Sequence, residues 1–366
     1  MNFSGEDHVF MARALKLTEN GRLTSTPNPS VGCVIVKRGR IIGEGWHEKA
    51  GQPHAEVNAL ARCSEDPAGA TVYVTLEPCA HHGRTPPCAE ALVRAKVSRV
   101  VAAIEDPNPQ VAGKGLVRLR EANIRSEVGL MAAEARRAHR GFLSRMAHGR
   151  PWVTLKVGAS LDGGTALRNG ASRWITSAAA RKDVHALRAR ACGVLTGIGS
   201  VHADDPALTV RDVPCTRQPL KIVVDSRLEV ADSARVLEGG NALIVTASGD
   251  GTRIEALRQR GTVVERVAAE PLRGKVDLAA MMQTLGRLGL NEVMVEAGTR
   301  LNGSLVQAGV VDEVVAYLAP SLLGDEALGM FALGELTGLD QRIALTLSEV
   351  RRIGPDLRIS ATVGAL

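Results

Sequence analysis

Aromatic residues are scarce: three Trp, two Tyr and four Phe make up 2% of the 366-residue chain. Little is left for stacking unpaired bases, which argues against a single-strand nucleic-acid platform. There is no dense Lys/Arg block either. The net charge of +6 is spread over 45 basic and 39 acidic residues, a balance compatible with phosphorylated ligands but not with a grip on a duplex. No stretch approaches the roughly 20 apolar residues that a membrane span needs. The opening MNFSGEDH carries acids where a secretory leader has an apolar run. The six cysteines (Cys33, Cys63, Cys79, Cys88, Cys192 and Cys215) lack the spacing of a disulfide framework. The expectation is a cytoplasmic protein with no membrane or nucleic-acid partner. Its length and 45% hydrophobic content allow two full-sized cores.

Within this background, residues 54 to 88 carry His54-Ala-Glu56, then Pro78-Cys79, then Cys88. A catalytic zinc keeps three protein ligands and one open position, where bound water loses a proton near neutral pH. His54, Cys79 and Cys88 supply the three ligands. Glu56, two residues beyond His54 at the predicted start of a helix, is the carboxylate that moves the proton to a departing amine. His-x-Glu followed by Pro-Cys and a later Cys is the pattern of zinc deaminases. The two cysteines are separated by AHHGRTPP rather than by the usual two residues. The competing reading, a structural zinc knuckle, normally uses four protein ligands. His81 and His82 are rival ligands that more naturally face substrate or solvent.

Along the chain, residues 4–20 read as an amphipathic helix with Ser4 as N-cap and Gly21 just past its end. VGCVIV and IIGEGW read as a hairpin, followed by the His54 helix, the strand TVYVTL, the cysteine loop, a helix over 89–95 and the strand VSRVVAAI. A further helix and IRSEV complete an alternating pattern, as for a mixed sheet with helices on both faces. The pattern breaks near His148-Gly149-Arg150-Pro151, which divides the chain into 1–149 and 150–366. The second half alternates again: strands at WVTLKV, 193–195, LKIVVD, ALIV and EVMVE, helices at 178–190, 277–287 and 300–308, and a terminal antiparallel pair.

TPNPSVGCV, HAE, PCAHHGRTPPC and DPNP together closely resemble the deaminase domain of bifunctional riboflavin-biosynthesis enzymes. LKVGASLDG, RWITS, ADDPALTVR, VVDSRL and EAGTRLNGSL resemble the reductase domain of the same enzymes, in the same order and over nearly the whole chain. The resemblance implies a cytidine-deaminase-like α/β/α sandwich followed by a dihydrofolate-reductase-like α/β domain. It implies zinc-dependent deamination of 2,5-diamino-6-ribosylamino-4(3H)-pyrimidinone 5′-phosphate, then NADPH-dependent reduction of the ribosyl side chain to ribityl. A homo-oligomer, taken as a dimer, goes with it. Such enzymes lack a GxGxxG fingerprint, as this chain does after its first reductase strand.

Carried onto this chain, the resemblance puts Asn28, His47 and Asn108 at the pyrimidine, and His81 and Arg84 at its phosphate. Lys156, Ser172, Arg188, Leu208, Arg211 and Glu296 would contact the substrate of the reduction. Gly158, Trp174, Ser200, Asp204 and Ser226 would contact NADPH. So would the run Gly298, Thr299, Arg300, Leu301, Asn302, Gly303 and Ser304, which follows a strand and opens a helix, presenting N–H groups to a cofactor phosphate. Ser226-Arg227 suit a 2′-phosphate, with Asp225 as a complication. Ala80, where Ser is common, and NGASRW, which lacks a frequent acid, depart from the pattern. Three other readings stay open: a tRNA or nucleoside deaminase with an unrelated second half, a zinc protein without catalysis, and a deaminase whose reductase half is silent.

Overall fold

A computed structural model describes residues 3–80, 86–108, 111–271 and 274–364. The chain forms two compact units, Met1–Gly149 and Arg150–Leu366. The first contains α1 (Gly5–Gly21), β1 (Gly32–Lys37), β2 (Arg40–Trp46), α2 (Ala55–Ala61), β3 (Thr71–Val74) and α3 (Cys88–Arg94). It continues with β4 (Arg99–Ala102), α4 (Lys114–Glu121), β5 (Arg125–Val128) and α5 (Ala132–His148). Its sheet runs β2-β1-β3-β4-β5, with β1 antiparallel to both neighbours and β3, β4 and β5 parallel.

Alternate residues of β1 serve opposite faces, the period-two rule of a strand. Cys33 and Ile35 pack with Ala55 and Ala59 of α2, Leu92 of α3 and Leu116 of α4. Val34 and Val36 pack with Met11 and Leu17 of α1 and Phe142 of α5. The strand therefore reads as one apolar run, as a sheet covered on both sides requires. Gly43 and Gly45 of β2 permit the close approach of α2. A Cβ on Gly45 would lie 2.4 Å from Ala55 O and Ala59 N, so β2 and α2 are nearly in backbone contact.

At the start of α1, Ser4 and Asp7 form a reciprocal capping box. Gly21 is the last residue of the helix rather than the residue after it. A Cβ there would meet the His47 carbonyl oxygen at 2.1 Å, so close packing explains the glycine. Asp7 also accepts from Arg99 Nη1 and from the Tyr73 hydroxyl, both at 2.6 Å, and Glu127 accepts from Arg99 Nε at 2.6 Å. The Arg99 hydrogen bond holds the Asp7 carboxyl well below the usual carboxylate range, against the opposing effect of burial. A carboxylate whose pKa falls on folding stabilises fully above its unfolded pKa of about 3.9 and loses that contribution as pH drops. Asp7→Asn is therefore expected to cost about 2 kcal/mol at neutral pH. In urea melts the gap to the parent should stay flat down to about pH 5 and narrow below about pH 4; a pH-independent gap would contradict the assignment.

The second unit contains β6 (Trp152–Ser160), β7 (Gly164–Ala166), α6 (Ala178–Arg190), β8 (Gly193–Gly197), α7 (Ile198–Asp204) and β9 (Leu220–Val224). Next come β10 (Ala242–Thr246), α8 (Gly251–Gln259), β11 (Val263–Arg266), α9 (Leu278–Arg287), β12 (Glu292–Val295) and α10 (Thr299–Gln307). It ends with β13 (Glu313–Ala319), β14 (Leu328–Gly329), β15 (Leu345–Ile353) and β16 (Asp356–Val363). Nine strands order as β11-β10-β9-β8-β12-β6-β13-β16-β15, parallel through β13 and antiparallel beyond, and β7 pairs with β14. Helices α9 and α10 pack on one face, and α6, α7 and α8 on the other. The chain leaves β8 toward β9 and returns from β11 to β12 on the other side of β8. That reversal opens a crevice at the carboxyl ends of the parallel strands, where such sheets bind ligands. No helix of the described residues is long and apolar enough to cross a membrane.

Candidate active sites

His54 is the N-cap of α2, yet its side chain caps nothing and turns toward two thiols. Its Nδ1 lies 3.6 Å from Cys79 Sγ and 3.3 Å from Cys88 Sγ. The three ligand atoms all fall within 4.8 Å of one another. Cys79 sits in the loop after β3, and Cys88 opens α3, its N–H donating to Cys79 Sγ at 3.4 Å. The Cys88 thiol is the main influence lowering the Cys79 thiol, with burial opposing it and His54 assisting. One imidazole nitrogen and two soft sulfurs, converging with no fourth donor among the described residues, fit a zinc ion with an open position.

Glu56 lies in the first turn of α2 with 3% exposure. Burial, and then the nearby Cys79 thiolate, push its carboxyl up to about 7. That is the range in which a carboxyl can both take and give a proton at neutral pH. His47, buried, donates from Nδ1 to Pro53 O at 3.1 Å, which leaves Nε2 to accept from Asn28 Nδ2 at 3.1 Å. Burial holds the His47 pKa below the ordinary imidazole value, and its ring meets His54 edge-on at 5.1 Å. Asn28 thus keeps its side-chain oxygen and its second amide hydrogen for a heterocycle edge.

Asn108 occupies a turn, its N–H donating to Asp106 Oδ1 at 2.9 Å and its carbonyl accepting from Val111 at 2.8 Å. Glu77, buried and not among the expected site residues, accepts the N–H groups of Asp106, Gly113, Gly115 and Leu116 at 2.9–3.3 Å. A carboxylate directly before the Pro-Cys pair was the available signal. His81 and Arg84 lie outside the described residues.

The second unit holds a cleft of about 1600 Å³. It exceeds the roughly 300–1,000 Å³ of a pocket for one small ligand. Lys156, Ser172, Arg188, Leu208, Arg211 and Glu296 all line it, as do Gly158, Trp174, Ser200, Asp204 and Ser226. At its centre Glu296 accepts two bonds from Arg188, Nε to Oε1 and Nη2 to Oε2, the latter at 3.0 Å. Lys156 Nζ stands 3.7 Å from Oε2. Burial would raise the Glu296 pKa, but Arg188 and Lys156 prevail and it is pushed down to about 2. Arg188, with 13% of its side chain exposed, is therefore no solvated helix face. His185, one turn earlier on α6, accepts the Arg211 N–H at 3.3 Å and faces Asp212 at 3.4 Å. The sequence reading did not include it, although its i, i+3 spacing from Arg188 placed both on one face.

Trp174 is 71% exposed and carries the Arg181 guanidinium 4.4 Å above its ring, which rules out a core role. Asp204 is paired with Arg173 at 3.1 Å. Gly298, Thr299, Arg300, Leu301, Asn302 and Ser304 face the cleft, and Gly298 leaves the first turn of α10 without a side-chain cap. Those free N–H groups and the helix's positive end suit a cofactor phosphate. The buried Asn302 Oδ1 has no partner among the described residues, while its amide donates to Met330 O at 3.2 Å. Gly303 departs from expectation. It does not line the cleft, and a Cβ there would meet Ala332 O at 2.1 Å, so it seats α10 against the 330–332 segment. Asp225 is fully buried and accepts the N–H groups of Arg227 and Val230 at 3.4 and 2.8 Å, which removes the complication it posed for a 2′-phosphate.

Residues 151–359 match the RibD C-terminal domain, and residues 4–104 match the cytidine and deoxycytidylate deaminase zinc-binding region. The chain is 47% identical over 365 residues to the riboflavin biosynthesis protein RibD of Escherichia coli K12, spanning 96% of this chain and 98% of that one. It is 44% identical to the Haemophilus influenzae RibD over 99% of both chains. Among solved structures, Acinetobacter baumannii RibD superposes with a TM-score of 0.90 at 41% identity, covering 98% of this chain and 99% of that one. A diaminohydroxyphosphoribosylaminopyrimidine deaminase/5-amino-6-(5-phosphoribosylamino)uracil reductase from Thermotoga maritima gives 0.86 at 30% identity, with the same coverage. The chain belongs to the RibD family of riboflavin biosynthesis, bifunctional enzymes that join a zinc-dependent deaminase to an NADPH-dependent reductase.

Proposed function

We propose that residues 1–149 deaminate 2,5-diamino-6-ribosylamino-4(3H)-pyrimidinone 5′-phosphate and that residues 150–366 reduce the product's ribosyl chain to ribityl. The observation that carries the first half is the convergence of His54, Cys79 and Cys88 beside the buried Glu56. A zinc ion held by His54, Cys79 and Cys88 would acidify a bound water toward neutral pH. Glu56, buried beside the donor set, would be the base for the water that attacks the amino-bearing ring carbon. It then protonates the ring nitrogen and carries a proton to the amine, which leaves as ammonia when the C–N bond breaks. Asn28 and the neutral His47 hold the pyrimidine, and Asn108 closes its far side. His81 and Arg84 are assigned to the phosphate on the resemblance alone.

In the second half, NADPH held in the cleft would supply the hydride for C1′ of an opened ribosyl imine, whose nitrogen would take a proton. Lys156, whose Nζ lies in the cleft beside Glu296, is placed to be the proton donor. Arg188, Ser172, Leu208, Arg211 and Glu296 hold the sugar phosphate. Gly158, Trp174, Ser200 and Ser226 hold the dinucleotide with the first turn of α10, where Thr299, Arg300, Leu301, Asn302 and Ser304 face it. We place the enzyme in the cytoplasm as a homodimer without nucleic-acid partners, a reading that agrees with its six free thiols. The deciding assay follows ammonia release and NADPH consumption on the diamino substrate. A chelator should abolish ammonia release, and added zinc should restore it. Reduction of separately supplied deaminated substrate should continue, and chelator-resistant deamination would refute the metal role.

A further inference from the structure

Among the described residues, nine Lys and Arg side chains line the cleft of the second unit. Carboxylates hold four of them, and carbonyl or hydroxyl oxygens hold three more. Lys275 and Arg300 are the two with no partner among the described residues. Arg300 lies in the first turn of α10, whose backbone N–H groups are assigned to a cofactor phosphate above. Lys275 stands at the opposite end and needs a different explanation.

A short bridge between Ala269 and Val276 presents Lys275. It is tightened by the Glu270 N–H to Lys275 O at 2.6 Å and the Gly274 N–H to Glu270 O at 2.9 Å. The next residue, Val276, donates its N–H to Ser226 Oγ at 3.0 Å, so the bridge is tied to the carboxyl end of β9. In the order β9-β8-β12, that end lies two strand spacings from α10's approach strand, roughly 10 Å. An adenosine ribose reaches about that far from the dinucleotide's pyrophosphate. An NAD-type site would place a free carboxylate here for the 2′-hydroxyl. Asp225 is spent on backbone N–H groups, Asp277 on the Ala280 N–H and Glu229 on Arg227, which leaves Glu270 as the one uncommitted acid at this end among the described residues. The sequence pointed to Arg227 as the cation, but its guanidinium is held by Glu229 at 2.8 Å.

We propose that Lys275 selects NADPH over NADH, its ammonium pairing with the 2′-phosphate of the adenosine ribose while Ser226 Oγ shares that phosphate. The inference rests on the reductase reading above and adds the residue that sets cofactor choice. The test is calorimetric titration of the full-length protein with adenosine 2′,5′-bisphosphate and, separately, with adenosine 5′-monophosphate. The parent protein should prefer the bisphosphate, and more strongly at low salt. Lys275→Ala should weaken bisphosphate binding about 10- to 100-fold, the size of one charge-assisted hydrogen bond. Monophosphate binding should be unchanged, and Lys275→Arg should restore most of the loss. A parent protein that distinguishes the two nucleotides while Lys275→Ala binds both as before would overturn the assignment and leave the cofactor reading standing. Loss in Arg227→Ala instead would overturn it in favour of the other cation. A parent protein with no preference would remove both the assignment and the 2′-phosphate subsite.

Discussion

Glu56→Gln should keep its zinc and lose ammonia release by roughly 10²- to 10⁴-fold. The substitution preserves shape and hydrogen-bonding length but cannot exchange a proton. The metal donors belong to His54, Cys79 and Cys88, so metal content measured by atomic absorption should stay at the parent level. The native carboxyl, raised by burial to about 7, sits where its two protonation states are both available at neutral pH. Gln is neutral as well, and removing a buried acid leaves no orphaned charge, so the fold should survive. A variant with full zinc and near-normal turnover would exclude Glu56 as the proton carrier. One that loses zinc together with activity would show Glu56 to be part of the metal's support.

Lys156→Ala should lower NADPH oxidation by about 10²-fold or more while leaving ammonia release untouched. Two cations and one acid meet at this point of the cleft, so the group carries one surplus positive charge toward a ligand. Removing Lys156 leaves Glu296 and Arg188 as a neutral, two-bonded pair, which should hold the local fold together. Glu296→Ala is different in kind, since it strands the buried guanidinium of Arg188, a defect worth about 3–5 kcal/mol. The contrast separates chemistry from support. Lys156→Ala should melt like the parent, and Glu296→Ala should melt early. Equal loss of both activities in Lys156→Ala would mean damage to the fold and would count against its role in proton donation.

What could be read beforehand depended on how local each signal was. His54, Glu56, Cys79 and Cys88 fall within 35 residues and announce their chemistry by spacing. Helix α6 has the bounds 178–190 expected from its pattern, and Ser4 caps α1. Helix α5 was not foreseen although it is 17 residues long, because its buried face is built mostly of small and polar residues, Ala135, His139, Gly141 and Ser144, beside Phe142. Strand β13, EVVAYLA, carried a readable β-branched run that was passed over. The cluster of Arg188 with Glu296 joins positions 108 residues apart, and no local pattern could pair them. Lys275 likewise gains meaning only once its neighbours' charges are accounted for in space.

Glu77 ties the two walls of the first catalytic site to one another. Two residues ahead of the thiolate at Cys79, its carboxylate gathers four amide hydrogens from the 106–116 stretch, so the metal-bearing loop and the Asn108 turn share a single rivet. Neither wall can drift without dragging the other. Substrate specificity on the Asn108 side and ligand geometry on the Cys79 side are then mechanically one property, and sequence change in either loop is constrained by the fit of the opposite one.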